Sequence, residues 1–226
     1  IEDSQIFMFG NLIDSEILTS ELDYENIIFR NLKPGEEYKL VIVAMIGREA
    51  VVIEELLITT KADEVIHIKT VKDFLKMADN REGTFILDND IDFGDEKNLT
   101  PLFTSATRSF RGSFDGKGYT IKNLNYSVVG QYGGIFGYVD IGEIKNLNIE
   151  NINIGSEDAH ITTSLTSRVG FLAGVVSSTN GSIENITIKN SSMYVSSSST
   201  NLLYVGGLVG ELKTKAENIT IENSNL

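Results

Sequence analysis

The stretch YVGGLVGELKTKAENITIENSNL, residues 204–226, places a glycine-broken apolar run before a segment that contains asparagine. Related stretches occur at 132–154 and 168–190, so the pattern repeats along the chain. The last glycines of the apolar runs recur at intervals of 37 and 36 residues, at Gly137, Gly174 and Gly210. Such a period is typical of solenoids and propellers. Because each repeat reads as strand throughout and lacks the Trp-Asp pair of a propeller blade, we predict a right-handed parallel β-helix.

A recurring asparagine is the second feature of the pattern, and it stands at Asn123, Asn146, Asn185 and Asn218. In a parallel β-helix each coil hydrogen-bonds to its neighbours, and its bends require unusual backbone angles or very small residues. Glycine satisfies both requirements, whereas asparagine tolerates the left-handed conformation and can bond to the backbone at a bend. Stacked asparagines can also bond to one another in a ladder. We therefore expect the repeated glycines and asparagines to occupy equivalent positions on successive coils.

The segment that precedes the repeats predicts a short amphipathic helix over about residues 70–79. Its apolar residues follow helical spacing, at Val71, Phe74, Leu75 and Ala78. Thr70 is a suitable N-cap, and Asp73 stands where a capping box requires an acid. We expect this helix to cover the first coil and protect its open edge. A strand is predicted next, over TFILDNDIDF at 84–93.

Residues 1–62 predict a separate β domain, which divides the chain from a β-helix domain at 63–226. A turn precedes the strand-like run EEYKLVIVA, and the pattern Leu-x-Pro-Gly-x-x-Tyr spans the two. This pattern resembles the tyrosine corner of fibronectin type III domains, and its residues are Leu32, Pro34, Gly35 and Tyr38. Because a complete domain of that kind needs roughly 100 residues, we expect only part of the β-sandwich within 1–62.

Two motifs of the second part resemble a known family. The runs Gly133–Gly137, Gly170–Gly174 and Gly206–Gly210, each followed by an Ile-x-Asn or similar segment, are similar to the GLUG repeat of secreted bacterial surface proteins. The stretch FRGSFDGKGYTIKNLN at 110–125 resembles the lead-in that such repeats usually have. This resemblance covers about residues 66–226.

The resemblance implies a location and a set of parent proteins. GLUG modules occur in cell-wall-anchored adhesins and in immunoglobulin A-specific zinc metallopeptidases, where the module lies upstream of the catalytic domain. We therefore expect an extracellular or cell-surface location. We also expect this chain to be a segment of a longer protein, because it opens on Ile1 without a methionine and stops within a repeat.

Composition excludes several classes of function. The net charge of −13 disfavours binding to a nucleic-acid backbone or an anionic membrane surface. The longest apolar run, Leu40–Ile46, is too short to span a bilayer, so no membrane insertion is expected. The chain has no cysteine, and neither His67 nor His160 stands in an H-E-x-x-H motif. Zinc catalysis within this segment is therefore not expected.

Two sets of carboxylates are candidates for site chemistry. Asp88, Asp90 and Asp92 alternate within a predicted strand and are candidate calcium ligands. However, Gly94 comes one position late for an EF-hand loop, so we prefer a solvated strand face without a metal. Carbohydrate-active β-helix enzymes need paired carboxylates on adjacent coils. The acids available for that purpose are Asp140, Glu143, Glu184, Glu211 and Glu217, but they read as isolated surface charges.

These observations favour a non-catalytic module that serves as a stalk, a spacer or a binding surface. Its expected partners are a host protein or a glycan, without a cofactor, and the segment is expected to be monomeric. The parent protein could be a zinc metallopeptidase that cleaves host immunoglobulin, as the resemblance implies. The alternative is a carbohydrate-active β-helix enzyme or a glycan-binding adhesin. Three or more acids grouped in one groove would favour the enzyme.

Overall fold

The computed structural model describes residues 4–8, 35–46, 49–60, 64–94, 96, 99–198 and 201–226. The chain divides into two compact units, Ile1–Asp63 (unit 1) and Glu64–Leu226 (unit 2). The described elements are strands, apart from one short α-helix and two 3₁₀ helices. This content confirms the predicted all-β class.

Unit 1 contains a three-stranded antiparallel sheet in its described residues. The strands are β1 (Ser4–Met8), β2 (Glu37–Ile46) and β3 (Glu49–Thr59), in the order β1-β2-β3. The pairing of β2 with β3 shifts its register between Ile42 and Val43. Both long strands lie in segments rich in Val, Ile and Leu, which favour a pleated and partly buried surface.

Unit 2 begins with β4 (Val65–Ile68), the helix α1 (Val71–Leu75) and a 3₁₀ turn over Lys76–Asp79. The predicted capping box is present, because the Thr70 hydroxyl accepts from the Asp73 backbone N–H at 3.1 Å while the Asp73 carboxylate accepts from the Thr70 N–H at 3.0 Å. The helix is α-helical for one turn and then tightens. The Phe74 ring packs edge-on against Phe93 and Phe114, so this helix anchors one end of the core.

The remaining strands of unit 2 are short, and a 3₁₀ helix at Ala106–Arg108 lies between two of them. They are β5 (Thr84–Leu87), β6 (Ile91–Asp92), β7 (Ser113–Asp115), β8 (Thr120–Lys122), β9 (Asn125–Tyr126), β10 (Tyr132–Gly133), β11 (Phe136–Val139), β12 (Glu143–Glu150), β13 (Asn153–Ile154), β14 (Ile161–Thr163), β15 (Ser167–Gly170), β16 (Ala173–Val176), β17 (Ser182–Lys189), β18 (Ser192–Met193), β19 (Val195–Ser197), β20 (Leu203–Gly206), β21 (Val209–Leu212) and β22 (Lys215–Glu222). The strand predicted over 84–93 is therefore two strands, because β5 pairs with β7 whereas β6 pairs with β8.

Corresponding strands of the three repeats lie side by side, and every pairing between the described strands of unit 2 is parallel. The glycine runs form two sheets, β10-β15-β20 and β11-β16-β21. The asparagine segments β12, β17 and β22 form one side of an eight-stranded sheet, β22-β17-β12-β7-β5-β4, to which β6 and β8 are also joined. Two smaller sheets are β18-β13-β9 and β14-β19.

In-register pairing stacks like residues into apolar columns. Ile149 of β12 lies opposite Ile188 of β17, which lies opposite Ile221 of β22. Ile188 is fully buried, whereas Ile221 in the last described strand is 44% exposed. Burial of such a side chain stabilises a fold by about 1.5–3 kcal/mol. The inner strands therefore contribute most of the hydrophobic stabilisation among the described strands of this sheet.

Candidate functional surfaces of the stacked repeats

Gly137, Gly174 and Gly210 lie at one register in three adjacent strands. Their chain neighbours are paired on both sides, Phe136 with Ala173 and Ala173 with Val209. None of the three has a positive φ, so they are not required for an unusual backbone angle. A Cβ on Gly174 would instead lie 2.7 Å from the carbonyl oxygens of Arg168 and Gly137. The three positions, named here the glycine column, need glycine because neighbouring backbones approach too closely for a side chain.

Left-handed backbone occurs at the asparagines. The sites with positive φ include Asn123, Asn146, Asn151, Asn185, Asn190, Asn218 and Asn223. Asparagine is the residue besides glycine that adopts this conformation most readily, since its short side chain bonds locally. Bends of the asparagine segments therefore use asparagine, and close packing in the apolar runs uses glycine.

Three of the repeated asparagines form a hydrogen-bonded series, named here the asparagine ladder. Asn218 Nδ2 donates to Asn185 Oδ1, and Asn185 Nδ2 donates to Asn146 Oδ1, each at 2.9 Å. Asn146 Nδ2 donates at 3.0 Å to Asp115 Oδ1 of β7. A carboxylate accepts hydrogen bonds without donating, so Asp115 obliges every amide of the series to donate toward it.

Asn123 belongs to a second series rather than to the ladder. Its Nδ2 donates at 2.7 Å to Asp92 Oδ1, and its Oδ1 accepts at 2.6 Å from Asn151 Nδ2. The register explains this difference from the predicted equivalence, because Lys122 lies opposite Glu150 and Asn123 therefore aligns with Asn151. This series also begins on a carboxylate, which is again an acceptor alone.

The sequence prediction missed Asp115 and the second asparagine of each segment, and it considered Asp92 only as a candidate calcium ligand. A signal for those asparagines is present, because Asn151, Asn190 and Asn223 each follow the repeated asparagine by five residues. Asp115 had no such signal, since its role depends on which strand precedes β12 in the sheet.

Asp115 is a buried carboxylate with several hydrogen-bond donors. Burial by itself raises the pKa of this carboxyl, but the Asn146 amide and the Lys117 backbone N–H outweigh it and hold the pKa below its usual value. The Lys117 ammonium, 3.2 Å from Oδ2, acts in the same direction. The pKa of Asp92 is lowered first by the Asn123 amide and then by the Gly94 N–H.

Unit 2 is expected to lose stability as the pH falls below about 4. A carboxyl whose pKa is lower in the folded state stabilises the fold above its unfolded pKa, and this contribution disappears as the pH falls through the folded pKa. Asp115→Asn should cost about 1–3 kcal/mol at pH 7 and flatten the pH dependence of the free energy of unfolding, measured by urea titration. Asp79→Asn is the matched control, because the Asp79 side chain is exposed and makes no hydrogen bond or ion pair within the described residues. An unchanged pH slope in Asp115→Asn would contradict the ladder's dependence on this carboxylate.

The three calcium candidates each have other partners. Asp88 bonds to His67 Nδ1 at 2.8 Å, Asp90 accepts from the Thr120 N–H at 2.9 Å, and Asp92 belongs to the second asparagine series. Among the described residues, no three His, Cys, Asp or Glu side chains are grouped so that they could hold a metal ion. The other histidine, His160, packs against Tyr194 with ring centroids 5.5 Å apart.

The acids considered for carbohydrate chemistry are spread over several strands. Asp140 lies 3.3 Å from Arg111, while Glu211 and Glu217 pair with Arg168 and Lys215. Glu143 lies opposite Ser182, and Glu184 lies opposite Glu217 on adjacent strands. An open cleft of about 480 Å³ lies elsewhere, and of its described lining residues Glu96 is the one acid. The described lining residues of this cleft therefore do not include the carboxylate pair that glycoside hydrolysis requires.

The tyrosine corner lies partly outside the described residues, which exclude Leu32 and Pro34. Gly35 has a φ of 71°, a left-handed angle that favours glycine. Tyr38 is half-buried and lies opposite Ile58 in the pairing of β2 with β3.

A group of aromatic and charged side chains lies on the sheet β10-β15-β20. Arg168 is in register with Tyr132 on one side and Tyr204 on the other. Its guanidinium carbon lies 6.0 Å and 5.1 Å from the two ring centroids, and its Nε donates to Glu211 of β21. We name these four residues the arginine–tyrosine patch. Of these four residues, the sequence analysis named only Glu211, as an isolated acid. It did not identify the other three, because they share no motif.

The described helices include none with the length and apolar content needed to cross a membrane.

No family model matches the chain, and no curated protein matches it. A crystal structure of a "putative immunoglobulin A1 protease" from Bacteroides ovatus is similar over 70% of this chain and 64% of that chain, at 18% sequence identity and a TM-score of 0.40. This chain thus spans less than two thirds of the length of that structure, and the likeness is a distant one.

Proposed function

We propose that unit 2 is a right-handed parallel β-helix that serves as a non-catalytic spacer and binding module of a bacterial surface or secreted protein. The observation that supports it best is the in-register parallel pairing of β12, β17 and β22 along their length. A chain that returns to the same register after each repeat stacks its repeats in one direction. Right-handed connection is the rule for parallel strands joined by a crossover.

The extracellular setting and the parent protein are supported by motif resemblance alone. The lead-in at 110–125 and the three glycine runs are similar to GLUG modules, which belong to surface proteins. A fibronectin type III-like unit 1 fits such a protein. A parent zinc metallopeptidase would have its catalytic residues outside this chain.

The engaged carboxylates support a role without catalysis. Asp140, Glu211 and Glu217 each have a cationic partner, which favours structural charges over an acid and base pair. The carbohydrate-active alternative has one observation in its favour, since Glu184 and Glu217 are opposite each other on adjacent strands. Retaining glycosidases place two carboxyl groups about 5–5.5 Å apart.

Incubation with polysaccharides separates these two functions. Purified chain is expected to release no reducing ends from xylan, β-glucan or polygalacturonate, because a solvated pair outside a cleft lacks the environment that separates the pKa values of an acid and a base. Release that disappears in both Glu184→Gln and Glu217→Gln would instead assign the function to the alternative.

Cysteine pairs test the stacking directly, since the chain has no native cysteine. Thr187 lies opposite Thr220, and in-register residues on neighbouring strands are about 4.8 Å apart, within reach of a disulfide. Thr187→Cys with Thr220→Cys is expected to cross-link on mild oxidation, as seen by mass spectrometry. The control, Thr187→Cys with Glu222→Cys, is two residues out of register and more than about 7 Å apart, so it should remain reduced. Equal cross-linking of both pairs would contradict a fixed register.

A further inference from the structure

The arginine–tyrosine patch combines features that a structural ion pair alone does not need. Tyr132, Arg168 and Tyr204 stand on three neighbouring strands, so their side chains spread over about 10 Å of the sheet surface. Tyr132 also packs edge-on against Tyr138, with ring centroids 4.9 Å apart. Aromatic rings that remain partly exposed beside charged groups are frequent in binding surfaces.

Hydrogen-bonding capacity remains unused within the patch. Arg168 donates from Nε to Glu211, and within the described residues its two terminal nitrogens make no hydrogen bond. The second carboxylate oxygen of Glu211 is 3.7 Å from the Lys213 ammonium, a long ion pair. The side chains of Arg168 and Glu211 are 24% and 28% exposed, so a ligand can reach both. The patch therefore offers N–H donors and a carboxylate acceptor next to each other.

We propose that the arginine–tyrosine patch binds neutral oligosaccharides. A sugar ring packs against the part of the Tyr204 ring that the Arg168 guanidinium leaves exposed, one hydroxyl oxygen accepts from a terminal nitrogen of Arg168, and a neighbouring hydroxyl donates to Glu211. A sugar diol supplies the acceptor and the donor that this pair of charges lacks. The proposal rests on the binding role proposed above, and it gives that role a site and a class of ligand.

The electrostatics favour a neutral sugar over an acidic one. Arg168 and Lys213 both pair with Glu211, so the two cations beside this carboxylate are already engaged, and the hydrogen bond from Arg168 lowers the pKa of the Glu211 carboxyl. A carboxylated or sulfated sugar would approach this negative charge and a chain with net charge −13. Electrostatic repulsion would weaken the binding of such an acidic sugar, whereas the uncharged hydroxyl groups of a neutral sugar are not repelled.

Calorimetric titration with cellohexaose, laminarihexaose, mannohexaose, xylohexaose and chitohexaose tests the proposal, with polygalacturonate and heparin as acidic comparators. At least one neutral oligosaccharide is expected to bind with a Kd below about 1 mM, and Tyr204→Ala should weaken that binding about tenfold or more. Arg168→Ala should have a similar effect.

Tyr119→Ala is the matched control, because Tyr119 and Tyr204 are 38% and 39% exposed and Tyr119 is not in the patch. It should leave the Kd unchanged within about twofold. Equal melting temperatures of Tyr204→Ala and the parent chain would show that lost affinity is not lost folding. Absence of neutral-sugar binding, binding of acidic sugars alone, or equal losses in Tyr119→Ala and Tyr204→Ala would overturn the proposal. The spacer role would survive each of these results, since the cross-linking and reducing-end experiments test it separately.

Discussion

Gly174→Ala is expected to destabilise unit 2 by about 3 kcal/mol or more, and to prevent folding if the backbone cannot move apart. The added Cβ would lie 2.7 Å from the carbonyl oxygens of Arg168 and Gly137, and 2.8 Å from the Cα of Tyr132. All three atoms belong to backbone, which cannot rotate away as a side chain does. Gly174 also lies in the middle strand of its sheet, so any displacement is transmitted to β11 and β21.

Gly130→Ala provides the comparison, because it makes the same chemical change at a site where an added Cβ would meet no atom within 4 Å. Its free energy of unfolding should stay within about 0.5 kcal/mol of the parent chain. Urea unfolding followed by far-UV circular dichroism measures both variants. Similar stabilities for Gly174→Ala and Gly130→Ala would mean that the glycine column tolerates a side chain.

The glycine column also shows how far sequence reasoning reaches. Parallel strands in register place residues one period apart side by side, so a repeat of 36 to 37 residues is enough to indicate which glycines are neighbours. The same reasoning left two explanations for the glycines, unusual backbone angles or close packing. The choice between them depends on the distance between neighbouring backbones, which the amino-acid sequence does not give.

The asparagine ladder was also predictable from the sequence only in part. Recurrence of Asn146, Asn185 and Asn218 indicates stacking, and left-handed backbone at a bend follows from the residue type. The origin of the ladder at Asp115 does not follow, because that residue precedes the repeats and differs from them in type. The alignment of Asn123 with Asn151 could not be predicted from the sequence either, because the Gly116–Tyr119 turn changes the register with β12 between β7 and β8.

The arginine–tyrosine patch could not be predicted from the sequence, for a different reason. Its members come from three repeats in which the same register position is occupied by Tyr132, Arg168 and Tyr204. A search for repeated residues discards such a position as variable. In stacked strands, however, different residue types at one outward position become neighbours. Their side chains can then form a group that no single repeat contains.

Phe136→Ala is expected to cost about 3–5 kcal/mol in the free energy of unfolding of unit 2. The Phe136 ring is fully buried, with ring centroids 5.2 Å from Phe110, 5.6 Å from Phe114 and 6.1 Å from Phe103. Removing it leaves a cavity among rings that are held by different segments of backbone. Those segments cannot all collapse into the space, since Leu102 and Phe103 accept backbone hydrogen bonds from Gly137 and Tyr138.

Phe136→Leu separates the loss of volume from the loss of the ring. Leucine fills most of the space, so this variant should cost about 1.5 kcal/mol or less, measured by the same urea titration. Aromatic pairs contribute about 0.5–1.5 kcal/mol beyond the area that they bury, which sets the residual loss expected in Phe136→Leu. A cost for Phe136→Ala no greater than that for Phe136→Leu would mean that the site collapses around the smaller side chain. The four rings would then not be the rigid centre of the core, and the stability of unit 2 would have to come chiefly from the stacked isoleucine columns.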